Sequence, residues 1–158
     1  MIALTPEWFE ALVSKVNEDS AFRDGMKKWE GNVSIGVKPI PELSTKDNFY
    51  KIDATGGELK GLGYCGKSDA VEAKVCILVD YPLFKEMLAG EVTDLGPIIM
   101  SGKADVKGDL SYAMKFMKSI TRLVEVMTSM GGEAPDELQG GDLDKFKSWI
   151  SEMEASHD

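Results

Sequence analysis

Few residues of this sequence have the types and spacing that acid–base, nucleophilic or metal chemistry requires. The only histidine, His157, is next to the last of 158 residues, in a polar tail of the kind that usually frays. The two cysteines, Cys65 and Cys76, lack CxxC spacing and have no partner histidine, so we expect free thiols. The acidic residues do not follow the spacing of a calcium loop. The sequence therefore predicts no catalytic residues, no metal site and no cofactor.

The glycine-rich segment GGELKGLGYCG, residues 56–66, is the one stretch that suggests a phosphate-binding loop. It lacks the pattern G-x-x-x-x-G-K-[ST], and no helix is expected after it, so turn and bulge glycines between strands are the favoured interpretation. Only two arginines, Arg23 and Arg122, accompany sixteen lysines. Arginine is the usual bidentate ligand of phosphate and carboxylate, so its scarcity also disfavours an anion site.

Charge and hydropathy exclude two further classes of partner. The chain has 18 Lys and Arg against 27 Asp and Glu, a net charge of −9. Nucleic acids and anionic membrane surfaces bind basic proteins, so we expect neither nucleic-acid binding nor a stable membrane anchor. No apolar run approaches the roughly 20 residues of a spanning helix. The opening MIALTPEWFE lacks the regions of a secretory signal, so we expect a cytoplasmic protein.

Two helices are predicted at the start of the chain. Thr5-Pro6-Glu7 combines an N-cap residue, a first-turn proline and an acid, and apolar residues follow at helical spacing. This pattern predicts an amphipathic helix over residues 5–17. Phe22, Met26 and Trp29 recur at i, i+4 and i+7 and predict a shorter second helix.

The hydrophobic period then changes from 3.6 to 2, which is typical of strands. Alternation predicts strands over residues 33–37, 50–54 and 71–79, with a weaker one over 59–64 and a later one over 98–107. One face of these strands is more polar than the other, which favours antiparallel pairing. The predicted fold class is α+β, a mostly antiparallel sheet with helices on one face.

Helices are predicted between and after the later strands. Asp80 can cap a short helix that Gly90 ends. Gly108-Asp109 precede the longest predicted helix, which extends past Met127 and has an unusually wide apolar arc. Six of the nine methionines lie between residues 84 and 130. Methionine suits surfaces that adapt to varied apolar shapes, although spacing alone favours plain core filling.

The composition predicts three segments: a domain over 1–130, a flexible acidic Gly-rich linker over 131–141, and an amphipathic C-terminal helix with its tail over 142–158. This helix could cover an apolar opening, form a permanent part of the core, or dock on a protein partner or a second copy of the chain. Its apolar stripe consists of Leu143, Phe146, Trp149, Ile150 and Met153.

Four short segments of the methionine-rich region follow a family pattern in order and spacing. They are 80–90 (DYPLFKEMLAG), 98–103 (IIMSGK), 106–109 (VKGD) and 113–116 (AMKF). In this pattern a strand leads into a D…F…M…G helix, and a Gly-Lys strand, a Gly-Asp turn and an A-M-K helix follow. The sequence thereby resembles the sterol carrier protein type 2 domain, best over residues 70–118 and more loosely over 19–130.

The resemblance implies a five-stranded, largely antiparallel sheet that is backed by helices and encloses an apolar tunnel for acyl chains, sterols or similar lipids. It implies a carrier without catalytic residues, whose partner is a hydrophobic small molecule. An accessory subunit that presents a hydrophobic substrate to an enzyme, or scaffolds an enzyme complex, is the alternative. From the facing of residues we predict the tunnel lining to include Val75, Ile77, Phe84, Met87, Leu88, Ile98, Met100, Phe116, Met117 and Ile120.

Overall fold

The computed structural model describes residues 1–158 and contains one five-stranded sheet. The strands are β1 (Asn32–Val37), β2 (Asn48–Asp53), β3 (Lys60–Cys65), β4 (Val75–Val79) and β5 (Asp105–Gly108). Their order in the sheet is β3-β2-β1-β4-β5, so β1 is the central strand. All pairs are antiparallel except β1 with β4, which is parallel. The predicted α+β class with a mostly antiparallel five-stranded sheet is confirmed.

Eight helices accompany the sheet, and two 3-10 turns lie at Thr55–Gly57 and Pro135–Glu137. The helices are α1 (Pro6–Glu18), α2 (Ser20–Gly25), α3 (Lys67–Val71), α4 (Tyr81–Leu88), α5 (Leu95–Met100), α6 (Leu110–Met114), α7 (Met117–Met130) and α8 (Gly140–Ser156).

The two faces of the sheet carry separate apolar clusters. Alternation along β1 directs Val33, Ile35 and Val37 to the inner face, where the main core lies. The outer face carries a small cluster, which α3 covers; Ser34 of β1 donates a 2.6 Å hydrogen bond to the Ala70 carbonyl of this helix. The prediction of helices on one face is therefore right except for α3.

The predicted strand over 71–79 begins only at Val75, because the preceding residues belong to α3 and the turn after it. Ala70 of α3 is fully buried against the sheet. Val71 and Ala73 extend the alternation of β4 by only two positions, and such a short period cannot distinguish a strand from one helical turn.

The predicted strand over 98–107 is also wrong in its first half, where the chain forms α5. The Asp94 carboxylate accepts a 3.1 Å hydrogen bond from the Gly96 N–H and caps this helix, and Pro97 lies in its first turn. Ile98 and Ile99 of this helix are both buried in the main core.

The long helix predicted after Gly108 is interrupted, and α8 is the longest helix instead. Asp109 caps α6 as predicted, accepting a 2.9 Å hydrogen bond from the Tyr112 N–H. The helix breaks at Lys115 and Phe116, and the Phe116 ring lies 5.1 Å from the rings of Trp29 and Tyr112. No glycine or proline marks this break, which accompanies the aromatic packing.

The residues for which the sequence predicts a flexible linker, 131–141, are packed against the domain. Ala134, Pro135 and Leu138 are buried. The Asp136 carboxylate accepts a 2.6 Å hydrogen bond from the Tyr81 hydroxyl. Three buried side chains thus hold a segment that is otherwise polar and glycine-rich.

Helix α8 continues from this segment and packs along the loop before β2. Its Phe146 and Ile150 are buried in the main core. The Glu154 carboxylate accepts a 3.0 Å hydrogen bond from the Lys46 N–H. In the tail after this helix, the His157 ring lies 4.9 Å from the Tyr64 ring. Whether 1–130 and 142–158 are separable units stays a prediction.

Candidate functional site

An apolar cavity lies between the inner face of the sheet and the helices α1, α2 and α7. It has a volume of about 110 Å³, and all 24 residues that line it are hydrophobic. Well-packed protein cores contain few voids larger than a water molecule. A cavity of this size at the centre of the fold therefore indicates a binding site.

The floor of the cavity is the middle of the sheet. Ile35 lies opposite Tyr50 of β2 and Ile77 of β4 in the strand register. Tyr50 and Ile77 are 3% and 5% exposed, but Ile35 between them is 39% exposed. The most central strand therefore carries the most accessible apolar side chain of the inner face, and this side chain borders the cavity.

Helix α1 forms one part of the cover. Its apolar stripe buries Trp8 and Leu12, and the indole N–H of Trp8 donates a 2.8 Å hydrogen bond to the Gly131 carbonyl. At the other end of α1, the Asn17 side chain exchanges two hydrogen bonds with the main chain of Leu59, at 2.8 and 3.1 Å. The helix is thereby fixed at both ends while its middle spans the cavity.

Helix α7 forms the opposite part of the cover, with Ile120 and Met127 among its lining residues. Its Arg122 makes a bidentate ion pair with Asp19, at 2.8 and 3.0 Å. Asp19 lies between α1 and α2 and also caps α2 through the Phe22 N–H. The hydrogen bonds from Arg122 and from Phe22 lower the pKa of Asp19 below its usual range. Helix α7 also packs directly on α1 and α2, so the three helices form one layer over the cavity, which we call the helical wall: α1, α2 and α7.

Tyr50 contributes the least apolar side chain of the lining. Its ring packs 4.5 Å from the Phe9 ring of α1 and 5.5 Å from the Tyr64 ring of β3. Burial raises the pKa of Tyr50 well above its usual range, and the nearby Tyr64 acts in the same direction. The phenol is therefore protonated at neutral pH.

Four of the ten predicted lining residues do lie at the cavity. Ile77 belongs to its floor, Phe84 and Met87 of α4 close one end, and Ile120 belongs to the helical wall. That these side chains contact a ligand stays a prediction.

The other six predicted residues are not part of the lining. Met100 is the last residue of α5 and is 74% exposed, so the strand assignment that turned it inward was wrong. Phe116 packs on Trp29, because the helix breaks beside it. The remaining four are buried in the core away from the cavity: Val75, Leu88, Ile98 and Met117.

The sequence reasoning missed most of the lining from the first half of the chain. Trp8 and Phe9 of α1, and Ile35 and Tyr50 of the sheet, lie outside the methionine-rich segment that suggested the site. The amphipathic stripe of α1 and the alternation of β1 and β2 show that these residues face inward. Neither pattern shows which inward residues border a void.

The remaining candidates for chemistry are separate from the cavity. Cys65 and Cys76 are free thiols buried on the outer face of the sheet. Burial raises the pKa of Cys65 to about 11, which keeps this thiol protonated. No three His, Cys, Asp or Glu side chains converge as metal ligands would. None of the helices has both the length and the hydropathy needed to cross a bilayer.

Comparison with known proteins gives a consistent result. Residues 9–121 match the model of the SCP-2 sterol transfer family. A crystal structure of sterol carrier protein 2 is 26% identical with a TM-score of 0.70, covering 80% of this chain and 97% of that chain. A conserved hypothetical protein of Thermus thermophilus is 26% identical with a TM-score of 0.71, covering 84% of this chain and 92% of that chain.

A more distant structure shares the fold. The sterol carrier protein domain 2 of Helicoverpa armigera is 18% identical, with a TM-score of 0.52, covering 78% of this chain and 87% of that chain. Among curated protein sequences, none matches this chain.

Proposed function

The chain belongs to the SCP-2 sterol transfer family, and from that premise we propose that it binds and transfers a hydrophobic small molecule. The ligand is a fatty acyl chain, a sterol or a similar lipid, and the site is the cavity between the sheet and the helical wall. The observation that carries this proposal is the accessible Ile35 at the centre of an entirely apolar lining. Each CH₂ group moved from water into such a site contributes about 0.8 kcal/mol.

The cavity must enlarge to hold a whole lipid. Its volume of about 110 Å³ is below the roughly 150 Å³ that holds benzene and the roughly 300–1,000 Å³ of most ligand sites. The sheet is held by continuous backbone ladders, whereas the helices of the wall are held to one another and to the sheet by side-chain packing. We therefore expect the wall, rather than the sheet, to move when a ligand is taken up.

We also propose that the ligand leaves the protein unchanged. The lining offers no carboxylate, amine, imidazole or thiol. Its one hydroxyl belongs to Tyr50, whose raised pKa makes it a poor base or nucleophile at neutral pH. A cytoplasmic location stays a prediction of the sequence.

The test compares two substitutions with opposite expectations. Ile35→Trp fills the cavity from its floor and should abolish binding of the fluorescent probes parinaric acid and dehydroergosterol. Met100→Asp places a charge on an exposed side chain and should leave binding unchanged. Fluorescence titration measures affinity, and circular dichroism verifies folding. Native mass spectrometry of the isolated protein should also detect a bound apolar compound.

Either of two results would contradict the proposal. One is a wild-type protein that binds no apolar probe. The other is a folded Ile35→Trp variant that binds as tightly as the wild type, since the ligand would then lie outside the cavity. Ile35→Val, which preserves the apolar floor, is the matched control.

A further inference from the structure

We propose that Leu4 is a strained hinge of the helical wall, and that its strain is released when a ligand large enough to move the wall enters the cavity. The release adds to the affinity for large ligands only, so the hinge makes the cavity favour lipids over small apolar molecules. This inference rests on the proposed function, because it concerns how the same cavity selects its ligand by size.

Two features coincide at Leu4 and at no other residue. Its side chain is 3% exposed, belongs to the main core and lines the cavity. Its backbone has a φ of +69°, in the left-handed region that glycine adopts readily. A bulky residue is strained there, because its Cβ lies too close to the following carbonyl oxygen. The other non-glycine residue with a positive φ is Glu42, which is exposed in the loop between β1 and β2.

Hydrogen bonds to residues 131–133 hold the chain on both sides of Leu4. Before it, the Ala3 N–H donates to the Glu133 carbonyl at 2.9 Å. After it, the Trp8 indole N–H donates to the Gly131 carbonyl at 2.8 Å. Strained backbone persists only where the surrounding structure imposes it, and it is frequent at ligand clamps and switches. The position of α1 relative to residues 131–133 therefore imposes the positive φ.

Leu4 lies where a rotation of the backbone redirects α1 without unfolding it. It precedes Thr5, the N-cap residue, and Pro6, at which the helix begins. The Thr5 hydroxyl makes no capping hydrogen bond and instead donates to the Ile2 carbonyl at 2.7 Å, which closes the turn around Leu4. The helical hydrogen bond from the Phe9 N–H to the Thr5 carbonyl, at 3.0 Å, lies entirely after Leu4. A change of φ at Leu4 thus leaves the hydrogen bonds of the helix intact.

The size of the cavity connects this hinge to the choice of ligand. Its volume of about 110 Å³ is too small for a lipid, which must move the wall, whereas a small apolar molecule needs little movement. Movement of α1 away from residues 131–133 removes the constraint that imposes the positive φ. The strain that the ligand-free protein stores at Leu4 is then released, and the free energy released favours the large ligand.

The test compares alanine with glycine in place of Leu4. Both substitutions remove the leucine side chain, but alanine retains the strain and glycine does not. Only Leu4→Ala has strain to release when the wall moves. It should therefore bind the uncharged dye Nile red about five- to thirtyfold more tightly than Leu4→Gly does, measured by fluorescence titration.

Benzene is the small ligand for comparison, because it fits a cavity of roughly 150 Å³. Without the leucine side chain, the cavity of either variant holds benzene with little movement of the wall. The two variants should therefore have equal affinity for benzene, measured by its competition with Nile red.

Leu59 provides the matched control, because it also lines the cavity but has no positive φ. Leu59→Ala and Leu59→Gly should bind Nile red with equal affinity. Circular dichroism verifies folding and also tests the strain in the absence of ligand. Leu4→Gly should melt at a higher temperature than Leu4→Ala, whereas the Leu59 pair should show the usual order, in which alanine is the more stable.

The wild type provides a second measurement that needs no variant. A structure of its complex with Nile red should show a negative φ at Leu4. A positive φ in that complex would overturn the inference. So would a Leu4→Gly variant that binds Nile red as tightly as Leu4→Ala, or a difference between the two that is equally large for benzene.

These outcomes leave the carrier function standing, because each of them requires that Nile red binds. Failure of the wild type to bind Nile red, parinaric acid and dehydroergosterol would overturn the inference and the proposed function together.

Discussion

The helical wall and the C-terminal segment, residues 131–158, pack on the same core but are fastened in different ways. Within the wall, α7 packs directly on α1 and α2, and the Asp19–Arg122 ion pair adds one polar link between them. The C-terminal segment is attached along its whole length by polar contacts to four separate parts of the domain. These contacts are Trp8 with Gly131, Tyr81 with Asp136, Lys46 with Glu154, and Ser68 with Asp158.

The C-terminal segment also leaves less unfilled space beneath it than the helical wall does. The wall covers a cavity, so part of its apolar surface contacts no protein atom. The C-terminal segment contributes Phe146 and Ile150 to the core, each almost completely buried, and contributes nothing to the cavity lining. We therefore expect the wall, rather than the C-terminal segment, to move when a ligand is taken up.

The composition of the chain left the role of the C-terminal helix open. Residues 131–141 are rich in glycine and acids, which predicts a flexible tether and leaves α8 as a movable cover, a permanent core helix or a docking element. Flexible composition lowers the stability of a free segment but does not prevent docking when a few side chains are buried. The apolar stripe of α8 that would dock on a partner is partly used within the chain, since Phe146 and Ile150 are buried. Self-association through α8 stays a prediction.

The largest effect is expected from truncation after Gly131. This change removes three large buried apolar side chains, and each contributes about 1.5–3 kcal/mol when fully buried. We expect the melting temperature to fall by more than about 10 °C, measured by circular dichroism. The three residues are Leu138, Phe146 and Ile150. A truncated protein that melts near the wild-type temperature but releases ligand faster would show that α8 is a movable cover.

The second-largest effect is expected from replacing one isoleucine by alanine, once in the C-terminal segment and once at the cavity. Ile150→Ala empties a fully packed site, since Ile150 is 1% exposed, and should cost about 2–5 kcal/mol of unfolding free energy. Ile35→Ala enlarges a cavity that already exists, so it should cost less than about half as much. Urea unfolding of both variants gives the ratio. Equal costs would mean that Ile35 is packed as tightly as the core, which would contradict the cavity.

Several parts of this structure could be predicted because they depend on residue types that lie close together in the sequence. Asp80 caps α4 with a 2.8 Å hydrogen bond to the Leu83 N–H, and Gly90 after this helix has a φ of +81°. Both follow from residue types at fixed offsets. The strands β1 and β2 follow from period-2 alternation. The resemblance of residues 80–116 to the family pattern then implied the five-stranded sheet and the tunnel.

The rest depends on tertiary packing that residue types do not encode. The break at Phe116 coincides with contacts to Trp29, which is 87 positions earlier, and its own neighbours are good helix formers. The accessible Ile35 has the same residue type and strand period as an isoleucine in a filled core. A cavity arises where side chains leave space unfilled, and residue types do not show where this happens. Local patterns could predict only which side chains point inward, so only some of the ten predicted lining residues lie at the cavity.

The smallest effect on stability, and the most direct test of the moving wall, is expected from Asp19→Asn. Asparagine is as good an N-cap as aspartate, so the cap of α2 should persist while the ion pair with Arg122 is lost. Exposed ion pairs contribute little to stability, and we expect the melting temperature to change by only a few degrees. Lys85→Gln is the matched control, because it removes an ion pair with Asp136 in the C-terminal segment instead.

Asp19→Asn should accelerate release of Nile red about two- to fivefold, measured by stopped-flow fluorescence, and Lys85→Gln should leave it unchanged. The pH dependence provides an independent check. Because the folded-state pKa of Asp19 is lowered, its stabilising contribution is present above the ordinary aspartate pKa of about 3.9 and is lost as the pH falls through the lower folded value. Release from the wild type should therefore approach the rate of Asp19→Asn in acid, although the two differ at neutral pH. Equal release rates at neutral pH would show that the wall does not open between α7 and the α1–α2 junction, and the ligand would then have to pass another side of the cavity.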